Sequence, residues 1–518
     1  MEVIENTAVR MVIPSNQVSL LVGHIEKCEV LSDDGKFAEV LVYWGINEMQ
    51  RLVRVYGEAP SPMSNEYDWP GLYTPFVHQK TTASYLALRD RVFCFNEAGT
   101  GKTSSVIWAA DYLMTQKQIK RVLVICPLSI MYSAWQADIF KTAMHRTVAV
   151  AYGDANKRKK IINGEYEFVI INFDGVGIVR EEISKAGFDL IVIDEANAYK
   201  TVTTNRWKTL AKLITPSTKL WMLTGTPASQ SPMDAFGLAK LINPAGVPKY
   251  VTAWRDKVMH QISRFKWIPK PTAKDAVYSA LQPAIRFEKA QCLDLPEVVY
   301  QTREIPLTSQ VRKYYAELKN ELLIEAAGEN ISAVNAAAKL SKLLQISGGA
   351  VYTDTKEVVE FDVSPRLNAL MEVLEETIHK VIVFVPYTHT IELVSKHLSS
   401  QGVINEVING AVAARERSEI INRFQTQVNP RVLVIQPQAA SHGVTLTAAD
   451  TVVFWSPVMS VETYLQCIAR IDRVGQKNSM TVVHLQGSEV ERKVYQMLQG
   501  KVNMHESLVE LYTQELGL

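Results

Sequence analysis

The sequence has few cysteines, no long apolar run and no acidic or basic excess. Its five cysteines lie far apart, with no CxxC pair or Cys/His cluster, which argues against a disulfide framework or a zinc site. No stretch approaches the ~18 apolar residues of a membrane span, and the start, with Glu2 and Glu5, is unlike a signal peptide. We therefore expect a cytoplasmic protein whose cysteines pack as small apolar side chains.

Charge is almost balanced along the 518 residues, with 55 Lys plus Arg against 54 Asp plus Glu and a net charge of +1. An anionic partner would therefore have to be bound by a local basic surface, because the whole molecule exerts little attraction. The length allows roughly three domains and a large buried core.

The most informative stretch of the sequence lies near residue 190. The apolar run 190–193 leads directly into the adjacent carboxylates of Asp194 and Glu195. This pattern predicts a buried strand of a parallel sheet, and open α/β sheets bind ligands at the carboxyl ends of their strands. By itself, an Asp-Glu pair after a strand also fits a surface turn.

A glycine-rich loop, 96–103, follows the apolar strand 92–95 and precedes a helical pattern. Strand, loop and helix in this order let backbone N–H groups and the helix dipole hold phosphates. Lys102 can neutralise the β and γ oxygens, and the Thr103 hydroxyl can ligate magnesium. Asn96 stands where the generic loop has its first glycine. With Asp194 and Glu195, the loop predicts a magnesium–ATP site.

Apolar strands alternate with helical stretches in two successive series, which predicts α/β folding with doubly wound parallel sheets. The first series has strands at 121–125, 168–171, 190–193 and 219–223. After a helical connector at about 308–345, the second has strands at 381–385, 431–435, 451–455 and 480–485, and helices at about 389–399, 412–425 and 461–471.

Residues 1–62 have a different pattern. Short β-rich runs at 19–25, 38–44 and 51–55, with a hairpin signal at Asp33-Asp34-Gly35, predict a small SH3- or Tudor-like β-barrel. Its aromatic residues are either a recognition surface or simply the core of the barrel; they are Tyr43, Trp44 and Tyr56. Prolines at 60, 62 and 70 then indicate a linker.

The remaining boundaries predict a first lobe at 63–245, a mostly helical insert at 246–300, a second lobe at 301–487 and C-terminal helices at 488–518. Basic side chains in the insert could line a nucleic-acid groove, although a charge run also fits a solvated face. They are Arg255, Lys257, Arg264, Lys266 and Lys270. The same two interpretations apply to the basic run 157–160.

The second series carries no phosphate loop, but it carries two arginines near its end. On a helix, Gln466, Arg470 and Arg473 are spaced i, i+4, i+7 and share one face. Two arginines on one face suit the γ-phosphate as arginine fingers. Ordinary salt bridges are the alternative.

Together, these segments resemble helicase superfamily two, and within it the sucrose-nonfermenting (Snf) family of chromatin-remodeller-type ATPases. The resemblance runs from about 73 to about 494. It rests on a Q motif at 75–79, motif I at 97–103, motif Ia at 125–129, motif II at 194–197, motif III at 223–227, Asn409, Gly410, Arg417 and Phe424, motif V at 442–450 and motif VI at 466–476. Leu-Thr-Ala-Ala-Asp in motif V and Arg-Val-Gly-Gln in motif VI point to the Snf branch.

The resemblance implies two RecA-like lobes in tandem that clamp ATP and magnesium. The implied catalytic residues are Lys102, Asp194, Glu195, Arg470 and Arg473, and the implied magnesium ligands are Thr103 and Asp194. Implied ATP-binding residues are Gln79, which binds adenine, Glu97, Ala98, Gly99, Thr100, Gly101, Lys102, Thr103, Gly443 and Gln466. Implied nucleic-acid contacts are Ser129, Asn172, Thr388 and Gln438.

Three positions depart from the family pattern. Asn197 replaces the usual His of the DEAH-type box, Met459-Ser460-Val461 replaces a Trp-Asn-Pro, and Asp472 replaces the His between the arginines. An Asn can still donate and accept hydrogen bonds but does not titrate near neutral pH. The short spacing between the lobes resembles a compact bacterial or bacteriophage form.

The function that the resemblance implies is ATP-driven translocation along double-stranded DNA, by a protein expected to be monomeric. The translocase would remodel or displace bound protein or branched DNA. The alternatives are a strand-separating or annealing DNA helicase, and a polymerase-recycling adaptor that binds polymerase or another DNA-bound protein through the N-terminal barrel.

Overall fold

The chain divides into two units, Met1–Leu293 and Asp294–Leu518. A computed structural model describes residues 1–225, 227–228, 231–263, 267–292, 296–328, 333–352, 358–440, 444–473 and 475–500.

The strands of the first unit are β1 Glu2–Ile4, β2 Ala8–Pro14, β3 Cys28–Asp33, β4 Phe37–Tyr43, β5 Arg91–Cys94, β6 Val122–Cys126, β7 Val148–Val150, β8 Phe168–Asn172, β9 Leu190–Ile193, β10 Lys219–Leu223, β11 Met259–Gln261, β12 Trp267–Pro269 and β13 Ala284–Ile285. Its helices are α1 Val18–His24, α2 Ile46–Tyr56, α3 Met63–Glu66, α4 Val77–Ala87, α5 Lys102–Thr115, α6 Ala137–Thr142, α7 Ala155–Ile162, α8 Phe173–Ile178, α9 Arg180–Lys185, α10 Asn205–Leu213, α11 Asp234–Ile242, α12 Val251–Val258, α13 Ala273–Ala280 and α14 Lys289–Cys292.

A seven-stranded parallel sheet in the order β13-β5-β10-β9-β6-β8-β7 forms the centre of this unit. Its strands are apolar along most of their length because both faces are covered. In β9, for example, Val192 packs into one core cluster while Ile191 and Ile193 pack into the cluster on the other face. The parallel arrangement brings every carboxyl end to one edge, where the predicted site residues lie.

The strands of the second unit are β14 Val298–Glu304, β15 Ala350–Tyr352, β16 Val358–Glu360, β17 Lys380–Phe384, β18 Asn405–Ile408, β19 Val432–Ile435, β20 Ala449–Phe454 and β21 Met480–Gln486. Its helices are α15 Ser309–Gly328, α16 Ala333–Gly348, α17 Ser364–Glu376, α18 Thr388–Ser400, α19 Ala414–Thr426, α20 Pro437–Ala440, α21 Val461–Ile468 and α22 Glu489–Leu498. The order β14-β21-β20-β17-β19-β18 is again fully parallel. The prediction of two parallel-sheet α/β lobes is confirmed.

The N-terminal barrel is not confirmed. Strands β1 to β4 form an antiparallel sheet in the order β1-β2-β4-β3, and in the described residues no pairing joins β1 to β3 to close it. Two of the predicted strands, 19–25 and 51–55, are wrong, because they lie in α1 and α2. Their buried residues recur with a helical period, as Ile46, Met49 and Leu52 do in α2. The Asp33-Asp34-Gly35 turn does join β3 to β4.

The N-terminal sheet shares its core with the phosphate-loop helix. One cluster of buried side chains runs from Val40 and Leu52 through Met63 to Leu86 and Leu113. Polar contacts accompany this packing, since Gln50 Nε2 lies 2.8 Å from Ala87 O and Arg54 lies 2.7 Å from the Asp90 carboxylate. The sheet and the first lobe therefore form one packed body.

The predicted linker is packed in the same way. The indole N–H of Trp108, in α5, donates to Pro70 O at 2.9 Å, and that of Trp44 donates to Pro60 O at 2.9 Å. Tyr67 OH donates to the buried carboxylate of Asp111, also in α5, at 2.5 Å. Trp44 is thus core, as one of the two interpretations held, whereas Tyr43 is 49% exposed.

Leu52→Ala tests the shared core. We expect it to lower the free energy of unfolding of the first unit by about 2–5 kcal/mol, because it opens a cavity in a fully buried position. Leu20→Ala, at a 47% exposed position in α1, is the matched control and should cost far less. Denaturant unfolding with and without nucleotide measures both. If nucleotide stabilises an unfolding transition whose midpoint is the same in Leu52→Ala and in the wild type, the N-terminal sheet and the first lobe do not share a core.

Candidate functional site

The glycine-rich loop connects β5 to α5 at the carboxyl edge of the first sheet. Gly99 and Gly101 have φ angles of 88° and 80°, in the left-handed region that glycine adopts without strain. A Cβ at Gly101 would lie 2.0 Å from Gln79 Nε2, so a side chain there would displace the Gln79 amide from the loop. The backbone conformation of the loop therefore favours glycine at position 101, and this glycine also leaves room for the Gln79 amide.

The predicted adenine-binding glutamine lies against this loop. Gln79 is buried; its Nε2 donates to Thr100 O at 3.3 Å, and its Oε1 accepts from Phe76 N at 2.9 Å. His78 Nε2 also donates to Thr100 O, at 2.9 Å. The Q motif and motif I, predicted separately, are thus joined by hydrogen bonds.

Lys102 and Thr103 begin α5. The Lys102 ammonium donates to Asn96 O at 2.6 Å and to Glu97 O at 3.1 Å, so the positive charge lies over the loop. The backbone N–H groups at the start of α5 and this ammonium make the loop a site for anionic phosphate.

Asn96, the departure from the generic loop, has a structural explanation. Its Nδ2 donates to Thr82 Oγ1 at 2.8 Å, and its Oδ1 accepts from Phe287 N at 3.0 Å. The side chain is 1% exposed and holds the loop between α4 and the segment after β13. Glu97 contacts the same segment, where it accepts from Lys289 N at 3.0 Å. Sequence analysis missed these partners because they lie about 190 positions away in the chain.

The acidic pair follows β9, two strands away from the loop in the sheet order β5-β10-β9. Between them, the turn after β10 approaches the loop: a Cβ on Gly225 would lie 3.4 Å from Ala98 N and 3.7 Å from Lys102 Nζ. Burial raises the pKa of the Cys94 thiol, at the end of β5, to about 11, with Lys102 lowering it and Asp194 raising it. Lys102 and Asp194 are therefore both close enough to affect the Cys94 thiol. Because this thiol is buried and protonated, Cys94 is a packing residue rather than a nucleophile.

The backbone at the acidic pair is strained. Glu195 has φ 51° and ψ 55°, a left-handed conformation that is uncommon for a residue with a Cβ and is often retained at functional sites. Asp194 Oδ1 accepts from Glu195 N at 2.9 Å, and Oδ2 accepts from Trp135 Nε1 at 2.9 Å. The two bonds fix the Asp194 carboxylate. Trp135 was not recognised from the sequence, although it follows motif Ia by only six residues.

The residues present fit a magnesium ion. The Thr103 hydroxyl and the Asp194 carboxylate are the hard oxygen ligands that magnesium prefers, and nucleotide phosphates supply the others in such sites. In the described part of the chain, no group of three or more His, Cys, Asp or Glu could hold a metal ion by itself.

The predicted nucleic-acid contacts form a similar pair in each unit. In the first, Ser129 follows β6 and Asn172 ends β8, and these two strands are hydrogen-bonded neighbours. In the second, Thr388 begins the helix after β17 and Gln438 lies just after β19, again a neighbouring strand pair. Each pair therefore lies at a carboxyl edge, on strands about 4.8 Å apart. Their role in binding stays a prediction.

The geometry predicted for motif VI needs correction. The helix predicted over 461–471 ends at Ile468, and Arg470 and Arg473 lie in the turns that follow, so no single helix face carries both. Arg470 is 3% exposed; its Nε donates to Gln466 O at 2.7 Å and its Nη1 to Val444 O at 3.1 Å. Arg473 Nη1 donates to Thr445 Oγ1 at 3.0 Å. Motifs V and VI are thus joined through both arginines.

Several predicted residues lie elsewhere or outside the described residues. Gly443, Arg264 and Lys266 lie outside them. Lys270 donates to Asp256 O at 2.5 Å, and Arg255 stacks on Trp267 at 4.3 Å. In the basic run 157–160, Arg158 is buried and donates to Asn172 Oδ1 at 2.9 Å. Ser460, in place of the family's Asn, caps α21 by accepting from Thr463 N at 3.3 Å.

Fold and site together define a P-loop protein with two parallel-sheet units. The SNF2-related domain family matches residues 78–357, and the helicase conserved C-terminal domain matches 365–475. The chain belongs to the SNF2-related family. The predicted class, an Snf-type member of helicase superfamily two, is therefore confirmed at the level of the family.

Over the aligned regions, curated relatives are about a quarter identical to this chain. It is 24% identical over 446 residues to an uncharacterized ATP-dependent helicase of Mycoplasma genitalium, covering 84% of this chain and 42% of that protein. It is 25% identical to the chromodomain-helicase-DNA-binding protein 1-like of Mus musculus, covering 80% and 47%. A putative protein p41 of Acyrthosiphon pisum secondary endosymbiont phage 1 is 24% identical, covering 77% and 88%. The chain thus spans under half of the first two relatives.

Among solved structures, a Sulfolobus solfataricus SWI2/SNF2 ATPase core in complex with dsDNA is 22% identical, with a TM-score of 0.42. That match covers 86% of this chain and 97% of the other. Within the described residues, no helix is both long and apolar enough to cross a membrane.

Proposed function

We propose that the protein is an ATP-dependent double-stranded DNA translocase that remodels or displaces bound protein or branched DNA. The observation that carries this proposal is the carboxyl edge of the first sheet. Along that one edge lie the phosphate loop after β5, the acidic pair after β9 and the candidate nucleic-acid contacts after β6 and β8. From the acidic pair, the candidate nucleic-acid contacts are one and two strands away, so a change at the nucleotide can reach them through this edge of the sheet.

In the proposed reaction, the backbone of the loop and Lys102 hold the phosphates, and Gln79 contacts adenine. Glu195 orients the attacking water and accepts its proton, while the Asp194 carboxylate and the Thr103 hydroxyl hold magnesium. Bound magnesium supplies positive charge that neutralises the phosphates. Arg470 and Arg473 stabilise the charge that develops on the γ-phosphate.

On DNA, the contacts proposed here are to the phosphate backbone. Hydroxyl and amide side chains at the ends of neighbouring strands can hydrogen-bond phosphate oxygens without reading sequence. Repeated in both units, such contacts suit a protein whose hold on the duplex alternates with ATP binding and hydrolysis. Because the net charge is near zero, attraction to DNA has to come from local basic groups rather than from the charge of the whole molecule.

The test is ATP hydrolysis measured with no nucleic acid and with single-stranded DNA, plain duplex DNA, forked DNA and duplex RNA. We expect plain duplex DNA to stimulate hydrolysis most, and the duplex affinity to fall steeply with salt because phosphate binding releases counterions. Stimulation by forks or single strands alone, with unwinding of the fork, would indicate a strand-separating or annealing helicase instead. No stimulation by any of them would overturn the proposed dependence on DNA.

A further inference from the structure

The segment between motif Ia and α6 has an unusual backbone. A 3₁₀ helix, Leu128–Ile130, is followed directly by a π-helix, Met131–Gln136. π-Helical turns are rare and are frequently found at functional sites. Because this segment also holds Ser129, a proposed nucleic-acid contact, its irregular geometry needs an explanation.

The segment has a buried side and an exposed side. Met131 and Trp135 are fully buried, whereas Leu128 and Tyr132 are 41% and 39% exposed. Leu128 precedes Ser129 in the chain and Tyr132 follows it by three residues, while the buried indole reaches the acidic pair. One short element therefore extends from the surface to the proposed metal ligand.

The hydrogen bond of Trp135 differs from those of the other large buried tryptophans in the described residues. Trp108, Trp221, Trp254 and Trp455 each donate to a backbone carbonyl, at 2.7–3.1 Å. Trp135, which is 0% exposed, instead donates to Asp194 Oδ2 at 2.9 Å. A carbonyl would satisfy a buried indole N–H equally well, so the need to pair that group does not by itself account for a carboxylate acceptor.

We propose that Trp135 is a positioning residue that orients the Asp194 carboxylate for magnesium and links this ligand to the nucleic-acid contact at Ser129. The inference rests on the proposed function for the identity of the metal and the DNA. The Trp135 N–H holds one carboxylate oxygen, and the Glu195 N–H holds the other. A shift of the 128–136 segment on DNA binding changes the first bond and with it the orientation of the ligand.

Loss of an outer-shell partner of a metal ligand typically costs about 10–100-fold in metal affinity or activity. Coupling between two binding sites is also reciprocal, so DNA must alter the affinity for the metal–nucleotide complex by the same factor as that complex alters DNA affinity. Removing the Trp135 N–H should therefore weaken the magnesium-dependent part of nucleotide binding and reduce its response to DNA.

The test compares the full chain with Trp135→Phe and with Trp135 replaced by 3-benzothienylalanine, which keeps the bicyclic shape but lacks the N–H. Trp254→Phe is the matched control, because Trp254 is equally buried and donates to Pro232 O at 3.1 Å. ADP affinity is measured by calorimetry in magnesium and in EDTA. We expect both changes at 135 to weaken magnesium-dependent ADP binding by about 10–100-fold, while ADP affinity in EDTA and the affinities of Trp254→Phe stay close to wild type.

Equal magnesium dependence in the benzothienylalanine variant and the wild type would overturn the positioning role, even if Trp135→Phe failed to fold. A second arm repeats the magnesium titration with plain duplex DNA. A wild-type response to DNA that is retained in the benzothienylalanine variant would overturn the link to Ser129. No response in the wild type would overturn both that link and the DNA part of the proposed function, while the DNA-free arm still decides the positioning role.

Discussion

The Glu195→Gln variant is expected to lose ATP turnover by about 10²–10⁴-fold, the usual contribution of a positioned general base. The amide keeps the size of the side chain but cannot accept the proton of the attacking water. The bond from Glu195 N to Asp194 Oδ1 is unaffected, because it uses the backbone. ATP and duplex DNA affinities should therefore remain near wild type, as measured by equilibrium binding alongside steady-state hydrolysis.

Two further variants make this result specific. Lys102→Ala should also abolish turnover, but it should weaken nucleotide binding, because it removes the ammonium over the loop. Glu181→Gln, the same change at an exposed position in α9, is the matched control and should hydrolyse ATP normally. Normal turnover by Glu195→Gln would falsify the assigned mechanism.

The second large effect concerns stability. Arg366 and Glu491 form an ion pair inside the second unit, in which Nη2 lies 2.9 and 2.8 Å from the two carboxylate oxygens; the side chains are 1% and 0% exposed. The same guanidinium donates to the carbonyl of Trp455, and the same carboxylate accepts from the backbone N–H groups of Gly487 and Ser488. The pair joins α17 to the start of α22 and to the ends of β20 and β21.

Glu491→Gln should lower the free energy of unfolding of the second unit by about 3–5 kcal/mol, because it leaves the Arg366 charge buried without its counter-charge. Denaturant unfolding measures the change. Glu489→Gln, which breaks the exposed Arg492–Glu489 pair at 2.7 Å, is the control and should cost about 1 kcal/mol or less. If the two variants lower the free energy of unfolding by similar amounts, the buried pair is not a main stabilising contact.

The parallel sheets and the phosphate loop were predictable because their signals are local. The run 190–193 is apolar on every residue, which is what burial on both faces requires, and the loop is defined by adjacent residues. The strands predicted at 19–25 and 51–55 failed because β-branched composition was given more weight than the helical period of the buried positions. The end of α21 at Ile468 was not visible either, since no glycine or proline marks it before Gly475.

The partners of the site were beyond local signals. In the sequence, Asn96 departs from the generic loop, and only the fold shows that it accepts from Phe287 N; likewise, no local pattern indicates the bond from Trp135 to Asp194. Both bonds join residues far apart in the sequence. Residue types along a single sequence do not encode which distant chain segment will satisfy a buried amide or indole.

The closure of the phosphate loop by a distant strand also sets the order in which the protein can mature on the ribosome. Strand β5 pairs with β13, and Phe93, Phe95 and Glu97 donate backbone hydrogen bonds to Pro283, Ile285 and Phe287. A nascent chain that ends before β13 has the complete glycine-rich motif but lacks the strand that pairs with β5 beside it. The ability to bind nucleotide therefore arises late in synthesis. A protease cut just before β13 would weaken the backbone contacts that support the loop.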